Sequence, residues 1–81
     1  MKEVDKLVDD ILEKEFLPDG SLEYEFEIPQ SLLGNTKGFW WQFNKALATH
    51  RLCFLSQEVR NIPDTDTCHC HIVVAKWKED D

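Results

Sequence analysis

The chain has 81 residues and a formal net charge of −7, and 42% of its residues are hydrophobic and 11% aromatic. This length allows one domain, 1–81, and the composition is typical of a folded protein, which excludes a disordered tail. No continuous apolar run exceeds four residues, and charges recur throughout 1–15, which excludes a membrane span and a secretory signal. We therefore expect a cytoplasmic protein.

The first predicted element is an amphipathic helix over 2–16. Six apolar residues recur there at helical spacing, with acidic residues on the opposite face. The turn-forming sequence Pro18-Asp19-Gly20 ends the helix. The apolar stripe consists of Val4, Leu7, Val8, Ile11, Leu12 and Phe16.

A strand is predicted over 22–28, because apolar residues and glutamates alternate strictly there. Pro29 ends the strand, and 30–36 is predicted to be a loop with Leu32 and Leu33 as an apolar plug. The side chains expected to face the core are Leu22, Tyr24, Phe26 and Ile28, and those expected to face water are Glu23, Glu25 and Glu27.

A second helix is predicted over 37–50, with Asn35 or Thr36 as its cap. Trp41 lies off the apolar face of this helix. The residues expected on that face are Phe39, Trp40, Phe43, Ala46 and Leu47.

The last two predicted elements are strands over 51–61 and 68–77. The turn-forming residues 63–67 join them into a hairpin with a longer loop. The charged tail 78–81 is expected to be frayed.

The element order α-β-α-β-β predicts an α+β fold. A β-α-β crossover would set the first two strands parallel, and the third strand inserted between them gives a three-stranded, mainly antiparallel sheet in the order 1-3-2. Both helices then cover one face, and the three glutamates lie on the other. An all-antiparallel sheet in another order is the alternative.

The acidic residues provide the first candidate site. Residues 1–27 contain ten acids and three bases, whereas 28–81 contain six of each, so the whole net charge lies in the first third. An array of carboxylates can attract a basic protein surface, although it can also serve only solubility. Direct nucleic-acid binding is not expected, because it needs cationic surface. The predicted acidic set is Glu23, Glu25, Glu27, Asp9, Asp10 and Glu13.

The run Cys68-His69-Cys70-His71 provides a second candidate, since all four side chains can bind zinc. On a strand the cysteines share one face and the histidines the other, so at most two could ligate one ion. His50 or Cys53 could add ligands. We favour the other interpretation, in which the cysteines are core residues, the histidines lie on a polar strand face, and no metal or other cofactor is bound. Three cysteines are an odd number, which argues against a disulfide framework.

An enzyme is not expected, because the chain offers no nucleophile elbow, phosphate-binding loop or cleft-forming loop. Trp41 and Trp77 are candidate partner contacts, since exposed tryptophans are favoured at interfaces. A homodimer could form through an open sheet edge or through Trp77.

These features favour a small acidic protein that binds another protein and occludes its basic surface, for example a nucleic-acid-binding groove. Phage-type inhibitors, antitoxins and immunity proteins share this size and charge. The alternatives are a metal-binding module built on 68–71 and a small structural subunit of a larger assembly.

Overall fold

The computed structural model describes residues 2–34 and 38–77. Within these residues, three helices and three strands follow one another, and together they form the predicted α+β domain. The elements are α1 (Lys2–Glu13), β1 (Ser21–Pro29), α2 (Gln30–Gly34), α3 (Phe39–Thr49), β2 (Leu52–Asn61) and β3 (Thr67–Lys76).

The three strands form one antiparallel sheet in the order β1-β3-β2, which confirms the predicted topology. Glu25 lies opposite His71 in the β1–β3 pair, and Glu58 lies opposite the same histidine in the β2–β3 pair. Both outer strands therefore run antiparallel to β3 and parallel to each other. A β-bulge between Phe54 and Ser56 interrupts the β2–β3 pairing.

The core lies between the helices and one face of the sheet. Alternate β1 residues are buried, as the alternating sequence predicted, and alternate β3 residues are buried beside them. The helices contribute Val4, Val8 and Ile11 from α1 and Phe39, Phe43 and Leu47 from α3. The buried strand residues are Leu22, Tyr24, Phe26, Ile28, Leu52, Cys68, Cys70, Ile72 and Val74.

The helix α1 ends at Glu13 rather than at residue 16. The Lys14 N–H donates to the Ile11 carbonyl three residues back, which tightens the last turn. Further along, Pro18 disfavours helical backbone geometry at Leu17, the residue before it. Phe16 nevertheless packs against the core, whereas Leu12 of the predicted stripe is exposed.

The segment predicted as a loop over 30–36 contains the short helix α2. Leu32 and Leu33 pack against the core from this helix, so the apolar plug is present but helical. The Gln30 N–H donates to the Asp66 carbonyl and fixes the start of α2 to the hairpin loop.

The helix α3 begins at Phe39, with Gly38 at its N-cap position and no side-chain hydrogen bond there. The predicted cap residues Asn35 and Thr36 lie outside the described residues, as does the tail 78–81.

Candidate functional site

The sheet face away from the helices is the open face, and β1 places three glutamates on it. Their neighbours along β1 are buried, so the alternation of the strand directs the carboxylates outward. The side chains of Glu23, Glu25 and Glu27 are 73%, 64% and 59% exposed. Because a strand rises about 3.3–3.4 Å per residue, these positions recur about every 6.7 Å along β1. We call these three residues the glutamate row.

The central strand β3 places two histidines beside the glutamate row. His69 Nε2 lies 3.7 Å from Glu25 Oε1, and its Nδ1 lies 3.8 Å from Glu27 Oε2. His71 Nε2 lies 3.8 Å from Glu23 Oε2. Each histidine can form an ion pair with these carboxylates only in its protonated form.

The edge strand β2 completes the open face. Glu58 lies opposite His71 and Arg60 opposite His69, and directly opposed residues of antiparallel strands share a face. Together with Glu25 they line a shallow depression at the middle of the sheet. The open face is therefore negative along β1 and mixed in charge along β2.

The predicted α1 acids lie in the helix layer, so the structure divides the predicted acidic set into two groups. Asp9 lies near His50 in a depression between α1 and α3. Asp10 Oδ2 accepts a hydrogen bond of 2.9 Å from the Tyr24 hydroxyl. Glu13 is the last residue of α1 and is exposed. Asp10 thus joins α1 to the edge strand, in addition to contributing charge.

Tyr24 is the only tyrosine, and burial together with the bond to Asp10 raises its pKa from 10.0 to about 12. Below pH 10 the hydroxyl is neutral in both the folded and the unfolded chain. Between pH 10 and about 12 the unfolded chain ionises first, so we expect this contribution to stability to be lost as pH rises through that window. An ultraviolet titration of tyrosinate should give an apparent pKa near 12 while circular dichroism shows the native fold.

The variant Tyr24→Phe should lose less stability in this window than the wild-type chain. The variant should still lose the stability that depends on Cys70 as pH rises, because burial raises the pKa of that thiol from 9.0 to about 11. A tyrosine that ionises near pH 10 in the folded protein contradicts the burial of this hydroxyl and its hydrogen bond to Asp10.

The Cys/His run is divided between the two faces of β3. Cys68 and Cys70 are buried on the core side, and the Cys68 thiol donates to Asn61 Oδ1 at 3.1 Å. His69 and His71 lie on the open face. Among the described residues, no group of three or more His, Cys, Asp or Glu side chains could hold a metal ion.

The two additional ligand candidates do not join the run. Cys53 lies opposite Ala75, four positions along β3 from His71, which corresponds to about 13 Å. His50 is exposed at the C-cap of α3. The buried thiol of Cys70 is also poorly suited to nucleophilic chemistry, because its raised pKa disfavours the thiolate.

Both candidate tryptophans are exposed, but neither lies on the open face. Trp41 is 61% exposed on α3, and the Lys45 Nζ lies 5.0 Å from the centroid of its ring. Trp77 is 49% exposed and lines a depression with Leu12 and Phe16. The structure therefore does not bring the tryptophans together with the glutamate row.

The sequence interpretation did not assign Glu58 and Arg60 to the site, and it treated His69 and His71 only as metal candidates. The pairing register of the β2–β3 hairpin brings Glu58 and Arg60 beside the two histidines. This register depends on the loop and on the bulge in β2, and the alternation of residues in the sequence does not reveal it.

Comparison of the chain with protein-family models, with curated proteins and with solved structures finds no match. None of the described helices is both long enough and apolar enough to cross a membrane.

Proposed function

We propose that this chain is a non-enzymatic protein whose glutamate row binds the basic surface of another protein. The observation that carries the proposal is the regular, exposed row of three carboxylates on β1. The row is the most concentrated charge on the open face, and it faces away from the core that holds the fold together.

The rigidity of the row supports the proposal. Each glutamate alternates with a buried core residue, and β1 pairs with β3 from Ser21 to Pro29. The backbone positions that bear the carboxylates are therefore held at regular intervals, and little backbone ordering is needed on binding. A partner with evenly spaced lysines or arginines, such as a nucleic-acid-binding groove, has the complementary chemistry.

The mechanism we propose is occlusion. The carboxylates attract the basic partner over a distance comparable to the Debye length and speed its encounter. The bound domain then covers the partner's basic groove and excludes nucleic acid, in the manner of phage-type inhibitors, antitoxins or immunity proteins. The three free cysteines support a reducing, cytoplasmic location for this activity.

A capture experiment tests the proposal. The full chain is immobilised and exposed to cell lysate at about 50 mM salt, and bound proteins are eluted at about 500 mM salt, where surface charges are screened. We expect elution of a basic protein that mass spectrometry identifies and that added DNA or RNA displaces from the immobilised chain. Capture that resists both high salt and nucleic acid contradicts the proposal, as does the absence of any salt-eluted basic protein.

A further inference from the structure

The outer edge of β2 is unpaired over residues 55–61, the half of the strand that leads into the hairpin loop. The strand order places β2 at one edge of the sheet, and residues 55–61 are all exposed. No main-chain hydrogen bond joins this edge to another element within the described residues. Open edges of this kind pair with further strands unless the sequence prevents it.

The opposite edge, β1, is protected against pairing with a copy of itself. A two-fold antiparallel pair centred on Glu25 would set this residue against its own copy and would set Glu23 against Glu27. All of these contacts bring like charges together on the open face, which destabilises a cross-strand pair.

The edge of β2 is instead complementary to itself. A two-fold antiparallel pair centred on Val59 sets Glu58 opposite Arg60 of the second copy, and Arg60 opposite Glu58 of the second copy. Both pairs lie on the open face, and neither side chain forms an ion pair within 4 Å among the described residues. Val59, which is exposed, meets its own copy on the other face.

Pairing centred on Val59 is favoured over pairing centred on either adjacent residue. Centring the pair on Glu58 sets two glutamates against each other, and centring it on Arg60 sets two arginines against each other. The bulge between Phe54 and Ser56 limits regular pairing to the segment 57–61. A longer, shifted pairing that avoids these clashes would have to cross the bulge.

We infer that two copies of this chain associate through their β2 edges, with Val59 on the two-fold axis, to form a continuous six-stranded sheet. The glutamate rows then lie at the two outer edges of the sheet and remain free. The inference is independent of the proposed function, because it uses the opposite edge of the sheet. Since only five residues pair in each copy, the dimer interface is small, and we expect the dimer to dissociate on dilution.

Sedimentation equilibrium from about 10 µM to about 1 mM tests the inference with three variants of the full chain. The single reversals Glu58→Arg and Arg60→Glu each replace two attractive cross-strand pairs by two repulsive ones. We expect each to raise the dimer dissociation constant about tenfold. The exchange Glu58→Arg with Arg60→Glu restores both pairs and should restore dimerisation.

The exchange variant also controls for folding, because it has the same composition as the wild-type chain. Circular dichroism should be the same for all four proteins. A monomer at every concentration overturns the inference, even if the edge accepts a strand from a different protein. Dimerisation that is unchanged by the single reversals, or that the exchange does not restore, also overturns it.

Discussion

Replacing Phe43 by alanine is expected to lower the free energy of unfolding by about 3–5 kcal/mol, the usual cost of removing a buried aromatic side chain. Phe43 is fully buried in α3. Its ring centroid lies 5.7 Å from that of Phe39, 5.9 Å from that of Phe26, 6.1 Å from that of Trp40 and 5.1 Å from that of Phe54. The ring thus joins α3 to β1 and to the start of β2.

This loss is large for a domain of this size. Natural proteins have about 0.05–0.15 kcal/mol of stability per residue, or roughly 4–12 kcal/mol for this chain. Urea unfolding followed by circular dichroism would measure the change as a shift in midpoint. The matched control is Trp41→Ala on the same helix, which removes an exposed ring and should cost about 1 kcal/mol or less. Equal losses for the two variants would contradict the assigned core.

Reversing all three glutamates of the row, with Glu23→Lys, Glu25→Lys and Glu27→Lys, is expected to slow association with a captured basic partner by about 100-fold at low salt. Electrostatic steering raises association rates by factors of about 10 to 1,000, and reversal turns attraction into repulsion. At high salt the rates of variant and wild type should converge. Stopped-flow mixing at several salt concentrations would measure both effects.

The matched control reverses three exposed acids to lysine, namely Asp9 and Glu13 of α1 and Glu15, which lies two residues beyond the helix. Both triple variants change the formal net charge from −7 to −1, so they differ only in where the charge is removed. The control should slow association much less than the β1 variant. An equal or larger effect of the control would assign binding to the helix layer.

The sequence predicted the sheet order and the buried face of β1 because these depend on local alternation and on element order. Phe26 is buried and Glu25 is exposed because successive residues of a strand point to opposite faces, and this two-residue alternation is visible in the sequence. The same logic placed Cys70 in the core and His71 on the other face.

Features that depend on tertiary contacts were not predicted. The helix α2 forms where Leu32 and Leu33 can pack against the core, and no local signal separated it from a loop. The bulge after Phe54 and the contact of Asp10 with Tyr24 depend on how the elements meet in space. The division of the acidic residues between two layers likewise required the packed structure.

The most direct test of binding through the glutamate row is a two-dimensional NMR titration of the isotope-labelled chain with the captured partner. We expect the largest amide shift changes on 23–27 and 69–71 and little change on α1 and α3. Shift changes that fall mainly on α1, with β1 and β3 unaffected, would contradict the assignment of binding to the glutamate row.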